Sequence, residues 1–450
     1  MKKILYVYVK GGAPLETAFP RIAACGELHV LALSPLPEAG KEIWEPVCTS
    51  VTVLDGTQLT PGEPVVEAIV AHARELGADA LFTLSEFAVL AVANAADRLG
   101  LAGAGPGIRV ARDKRLMRQA WQAAGVPIPR FRRVDSAADL HGALAALTPP
   151  LLLKPAWGAG SVAQLVLTSQ DQVDGAWAEI EQALELGGQV GMNELYEQNT
   201  DADRLVEEIM DGTTEGWYPE PGYGDYLSVE GIVAKGKYHA LAITAKLPTV
   251  PPYIEVASTS PCVLPVELQR RIEEVSRRAV DALGLDTCGT HTELKLRADG
   301  ELVVIEVGAR FGGLLTTRQA EIVFDLDPIG MLIREQLGEQ VDYPPAMLVE
   351  GGRAAASVAV VPANAAGTPW QTQPLWNPEE VDWAGLLSPG STIEPVPAFM
   401  LPAGTRVPEF DPSGGSRNWL GVFLLTAVDA ATLARDCRAI LDGLEAALPG

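Results

Sequence analysis

The sequence predicts a mixed α/β and α+β architecture. A parallel α/β domain opens the chain, two α+β units follow, and a small α+β unit closes it. Three observations carry this. Strand and helix patterns alternate over the first hundred-odd residues. Strand-rich stretches punctuated by glycine turns fill the middle. From 346 onward, proline, glycine and short β-like segments dominate. At 450 residues about three domains are expected. The breaks divide the chain into 1–110, 111–200, 201–345 and 346–450, the middle two being subdomains of one unit.

KKILYVYV (2–9) reads as a buried strand. Its start superficially matches a signal peptide, but the apolar run is short and Lys10-Gly11-Gly12 ends it without a cleavage pattern. A helix near 14–25 follows, then LHVLALS (28–34), VTVLD (51–55), a helix near 64–76 and ALFTLS (80–85). The helix near 86–99 stops at Gly100, in a C-cap position. Ser85-Glu86 closes a strand and opens that helix, where open α/β sheets bind ligands; Ser85 also suits an ordinary N-cap. Gly103-Ala104-Gly105-Pro106-Gly107 lacks GxGxxG spacing and follows no strand, so there is no dinucleotide fingerprint.

A helix over roughly 112–125 ends at Gly125, and Val126-Pro127-Ile128-Pro129 is extended. Next come strand 130–134, a helix near 136–147, LLLK (151–154), a glycine loop, AQLVLT (163–168) and a helix near 170–186. RLVEEIM (204–210) and YLSVEGIVAKGKYHALAITAKL (226–247) read as strands, with a hairpin turn at Gly236. A helix over 265–283 precedes THTELKLRADGELVVIEVGARFGG (290–313), two strands joined by Asp299-Gly300. AAASVAVVP (354–362), FLLTAV (423–428) and a helix near 430–447 make the separate C-terminal unit.

Formal charge is −24, which opposes non-specific nucleic-acid binding and adhesion to anionic membranes. Cys25, Cys48, Cys262, Cys288 and Cys437 are scattered, without CxxC spacing. Inert thiols in a reducing cytoplasm are expected, not a disulfide framework or a zinc site. No run is long enough to span a bilayer.

The chemistry centres on Glu293 and Glu306. A two-residue Asp-Gly turn pairs residues whose numbers sum to 599, which sets these glutamates opposite one another. Opposed like charges are destabilising unless a cation sits between them, and hard oxygen ligands suit Mg²⁺. Solvated glutamates on an exposed hairpin are the ordinary alternative. Arg310, on a glycine-rich turn four residues past Glu306, suits charge developing in phosphoryl transfer; a structural salt bridge is its plain alternative. Lys154 precedes Pro155-Ala156-Trp157-Gly158-Ala159-Gly160-Ser161, a loop able to approach an anion, though a plain glycine-rich hairpin fits equally well. Lys114 stands at a helix N-terminus, unfavourable for the dipole unless something else uses it. His291 shares a strand face with Glu293 and suits a structural histidine or a substrate contact.

Taken in order, Asp113-Lys114, Lys154-Pro155 with its loop, Glu207-Glu208-Ile209-Met210, Glu293 and Glu306-x-x-x-Arg310 resemble the ATP-grasp superfamily over about 110–335. PPYIEVASTSPCVLP (251–265), HTELKL and ARFGG are most similar to bacterial L-amino acid ligases of the bacilysin type. The resemblance implies an ATP- and Mg²⁺-dependent ligase that joins a small-molecule carboxylate to an amine through an acylphosphate. Lys114 and Lys154 would contact phosphates under a loop that includes Gly158, Gly160 and Ser161. Glu207, Glu208 and the backbone to Met210 would hold adenine, with Lys246 reaching the nucleotide. Glu293 and Glu306 would ligate two Mg²⁺ ions, and Arg310 would stabilise the intermediate. Glu255, Ser258, His291, Gly313 and Leu314 would line the substrate site. Gly308 stands where many family members carry a metal-ligating asparagine, Ser258 where the bacilysin-type enzyme has a histidine, and Leu314 where it has a bulky tryptophan. The family also implies a homodimer, and the cysteine usage a cytoplasmic location.

Overall fold

The computed structural model of the chain describes residues 1–54, 61–158, 163–189, 194–196, 203–251, 254–412 and 414–448, with only the backbone for 185–189. The first layer is a parallel sheet of β1 (Lys3–Tyr8), β2 (Glu27–Ala32), β3 (Ser50–Val53) and β4 (Ala80–Phe82), in the order β3-β2-β1-β4. β1 and β2 read as near-continuous apolar runs because helices cover both faces of the layer.

The second layer is antiparallel: β5 (Phe131–Val134), β6 (Leu151–Pro155), β7 (Leu165–Leu167) and β8 (Arg204–Glu208), ordered β5-β8-β6-β7. The boundary expected at 200/201 therefore falls just before the last strand of this sheet. β8 pairs with β5 and β6 because its partners flank it in space, which no local pattern announces.

The third layer holds β9 (Tyr226–Ala234), β10 (Lys237–Lys246), β11 (Ala257–Ser260), β12 (Cys288–Leu296), β13 (Leu302–Gly308) and β14 (Ala354–Val360). A small ribbon pairs β15 (Leu375–Trp376) with β17 (Thr405–Arg406), and β16 (Thr392–Pro395) and β18 (Gly421–Ala427) extend the large sheet. Its order is β13-β12-β9-β10-β11-β14-β18-β16. The segment after 346 was expected to be separate, yet β14 pairs directly with β11 and the sheet runs on. An exposed edge at β11 would leave backbone groups unpaired, and β14 satisfies them. The helices Thr316–Phe324 and Pro328–Gln336 were not among the expected elements. The first ends in left-handed Asp325 (φ +52°) instead of the glycine that usually marks a helix stop.

Alternation sorts the large sheet into two faces. Leu227, Val229, Ile243, Leu294 and Val304 join the core that includes Ile272, Ala279 and Val280 of the helix Val266–Asp281. Trp121 is buried against that helix and donates its indole N–H to Ala279 O at 2.8 Å. Arg118, wholly buried, ties the layers together. It donates to Glu207 of β8 at 3.0 Å and to Ile305 O of β13 at 2.8 Å.

The carboxylate hairpin keeps the expected Glu293–Glu306 pairing for a different reason. Beside the turn, residues pair at a sum of 598, as in Leu296↔Leu302 and Leu294↔Val304. The loop is three residues long, with Gly300 at φ +74° and Asp299 accepting from Glu301 N–H. A bulge after Glu293 then adds one residue and restores 599 at Glu293↔Glu306 and His291↔Gly308.

Two expectations follow from this packing. Cys262, Cys288 and Cys437 are buried, and burial pushes each thiol up to about 12. Titration of the native protein with DTNB should leave these three unmodified until denaturant is added. Fast reaction of any one would contradict the packing. Arg118→Ala should lower the unfolding free energy in urea by about 3–5 kcal/mol, because it strands a buried carboxylate and carbonyl. A loss below about 1 kcal/mol would show that Arg118 does not lock the layers.

Candidate active site

The second face of the large sheet is polar near its centre. Registers place Glu293 beside Ser228 and Glu306, His291 beside Glu230 and Gly308, and Lys295 beside Tyr226. Thr244 pairs with Ser228, and Lys246 with Ser258. Alternation therefore gathers Tyr226, Glu230, Lys246, His291, Glu293 and Glu306 on one surface. Further along β9 the same face turns apolar at Ile232 and Ala234, where the N-terminal domain packs.

Lys114 comes to this surface from a helix N-terminus. Its Nζ lies 2.9 Å from Glu306 Oε1 and donates to Gly158 O at 2.8 Å. Burial pushes the Glu306 carboxyl up, but Lys114, then Lys154 and Arg310, outweigh it and hold the group down at about 2. Lys154, at the end of β6, is buried and pairs with Glu207 at 2.5 Å. Burial is the main force lowering its affinity for a proton, and Arg118 and Lys114 add to it. Glu207 was expected at adenine, yet its oxygens are engaged by Lys154 and Arg118. Its neighbour Glu208 points the other way, to Arg130 and Thr148 N–H. Met210 is half-buried just past β8. Gly158 closes the described part of the loop; Gly160 and Ser161 lie outside the described residues.

On the other side, Glu255 accepts from Tyr226 OH at 2.7 Å and lies 3.7 Å from Lys246 Nζ. Lys246 holds the Glu255 carboxyl below its ordinary range. Ser258 is buried; the Gln319 amide donates to its backbone carbonyl at 2.8 Å, and its hydroxyl lies 3.4 Å from the Gln319 side-chain oxygen. Gly313 approaches the Gly12 carbonyl of the N-terminal domain. Leu314 adopts a left-handed backbone, φ +57°, unusual for a bulky residue and typical of functional turns.

His291 is buried between two carboxylates, 2.5 Å from Glu230 and 3.2 Å from Glu293. Burial disfavours its charge, but Glu230 and Glu293 outweigh that and raise its pKa to about 9. Glu230 also accepts Gly312 N–H at 2.7 Å, so it fixes the loop that carries Arg310. Arg310 itself pairs with Glu86 of the N-terminal domain at 2.8 Å. The sequence reading missed Tyr226, Glu230, Arg118 and Gln319. The alternation in YLSVEGIV was the available signal for the first two.

Among the described residues, no cluster of three or more His, Cys, Asp or Glu side chains could cage a metal. The opposed Glu293 and Glu306, each partly exposed, nevertheless fit Mg²⁺, which takes one or two carboxylates and completes its shell with water and phosphate. Two carboxylates, two lysines and an arginine at one surface can bind a polyphosphate and offset charge during its transfer.

Comparison with known proteins places the domain and the fold. Residues 147–318 match the model of the ATP-grasp domain. The chain is 35% identical over 290 residues to alanine–anticapsin ligase of Bacillus subtilis, a match that covers 64% of this chain and 60% of that protein. The L-amino acid ligase structure from Bacillus licheniformis superposes with a TM-score of 0.71 at 18% identity, covering 100% of this chain and 98% of that one. Biotin carboxylase from Campylobacter jejuni, solved as a beta-gamma-ATP complex, gives 0.65 at 15% identity, covering 95% of this chain and 88% of that one. Among the described residues no helix is long and apolar enough to cross a membrane. Residues 147–318 thus match the ATP-grasp domain, within a fold that the chain shares along its whole length with an L-amino acid ligase.

Proposed function

We propose that the protein is an ATP- and Mg²⁺-dependent ligase that joins a carboxylate, from an amino acid, to an amine through an acylphosphate, giving a dipeptide-type product. The observation that carries this reading is the opposed Glu293–Glu306 pair, with Lys114 in contact with Glu306 and Lys154 and Arg310 close enough to hold its charge. Relatives named as ligases support the reaction class.

Lys114, at a helix N-terminus, and Lys154, at the end of β6, would contact the nucleotide phosphates. Glu207 holds Lys154 in place, and the backbone past β8 to Met210 lies toward adenine. Glu293 and Glu306 would hold Mg²⁺, which neutralises phosphate charge and polarises the bond to the transferred group. The acceptor carboxylate oxygen attacks the γ-phosphorus and displaces ADP; the amine nitrogen then attacks the acyl carbon of the acylphosphate, displaces inorganic phosphate and loses a proton to give the amide. Arg310 offsets the charge on the intermediate. Glu255, a carboxylate held anionic beside Lys246, takes the substrate ammonium, with Ser258 and Leu314 shaping that side. Free cysteines and an acidic surface suit the cytoplasm, and a homodimer belongs to the same proposal.

Phosphate release measured over paired amino acids should require ATP, a carboxylate and an amine together. Release with the acid alone, or a stable phosphorylated product, would instead mark a phosphotransferase. Glu306→Gln should abolish turnover while circular dichroism stays unchanged; retained turnover at saturating Mg²⁺ would remove Glu306 from the metal site. Arg310→Ala should lower kcat by about 100-fold, with ATP affinity changed less than about threefold. A loss confined to ATP affinity would assign Arg310 to nucleotide binding.

A further inference from the structure

Glu86 lies far from the ATP-grasp match in sequence, in the turn between β4 and the helix Val89–Leu99. Its carboxylate nevertheless reaches Arg310, with Oε2 2.8 Å from Nε. A second cation, Arg112, stands 3.6 Å from Glu86 Oε1 and 2.8 Å from Glu194 Oε2. Arg112 also donates to Trp157 O at 2.7 Å, where the glycine loop begins. The cluster holds two anions and two cations. Arg112 and Glu194 have side chains 1% exposed, Glu86 8% and Arg310 18%. Buried ions persist only when paired, so each member constrains the next.

Gly308 gives this cluster its room. A β-carbon there would lie 3.2 Å from Glu86 Oε2 and 3.3 Å from Arg310 Cζ, pressing on both partners. A glycine at this position leaves the Glu86–Arg310 contact unpressed.

We propose that Glu86 is a positioning residue for Arg310. It holds the guanidinium over the edge of the carboxylate surface from outside the ATP-grasp domain, and Arg112 ties that hold to the base of the glycine loop. The functional half of this inference rests on the ligase reading; the geometric half does not. Glu86 acts through Arg310, so its removal frees the guanidinium to swing toward Glu306 without altering nucleotide contacts.

The test is Glu86→Gln in the full-length protein, alone and with Arg310→Ala. The crystal structure of Glu86→Gln should show Arg310 displaced from its wild-type rotamer. Phosphate release should show kcat reduced about tenfold or more with ATP KM within about twofold. The double variant should be no slower than Arg310→Ala alone, and Glu86→Asp should recover part of the rate. An Arg310 that keeps its place in Glu86→Gln, or rate losses that add in the double variant, would overturn the proposal. If the wild-type chain releases no phosphate with any acid–amine pair, the ligase reading fails, and the position of Arg310 in the variant still decides the role of Glu86.

Discussion

The arrangement depends on two carboxylates that face one another across adjacent strands. Opposed like charges destabilise a sheet, and here the cost is offset by cations drawn from three parts of the chain. Lys114 reaches Glu306 from a helix start, where a cation is unfavourable for the helix dipole. Asp113 caps that helix through Arg115 N–H and compensates locally. Lys154 and Arg310 add longer-range attraction. The result is a surface close to charge balance, in which any polyphosphate with its cations must replace interactions already made.

Alternation along the strands decides where that surface lies. On β9, Leu227 and Val229 enter the core while Tyr226, Ser228 and Glu230 face the site. Ile232 returns the site face to apolar packing under the N-terminal domain. The polar patch thus has a defined edge, set by one residue step past Gly231. Arg310 and Glu86 meet at that edge, which is why an N-terminal residue can touch the grasp domain's arginine.

Local pattern made some of this legible. Glu293 and Glu306 sit in one hairpin, so their pairing could be read, although the turn and bulge that achieve it differ from the expected two-residue loop. The Gly100 and Gly125 helix stops, and the strands 2–9 and 226–247, were also local signals and match the elements. Contacts between distant segments were not legible. His291 meets Glu230 61 residues away, Ser258 meets Gln319 at the same separation, and Arg310 meets Glu86 across about half of the chain. The fate of Glu207 was hidden for the same reason: its partners Lys154 and Arg118 lie 53 and 89 residues away. Adjacent Glu207 and Glu208 look alike in sequence, and strand alternation sends one inward to two cations and the other outward to Arg130.

The C-terminal segment takes its meaning from the same sheet. β14 extends β11, so the backbone of Ser258 is fixed on one side by β10 and on the other by β14. Gln319 then bridges Ser258 O and Ala355 O, which locks the helix Thr316–Phe324 over that join. Trp419 reaches back and donates to Glu255 O at 3.2 Å. Glu255 and Ser258 thus owe their placement to residues beyond 346 as much as to the strands around them. A chain cut at the composition change would expose the edge of β11 and loosen the side of the site that holds Glu255 and Ser258. The shift toward proline and glycine marks a change of loop chemistry, while the hydrogen-bonded sheet that carries Ser258 continues through it.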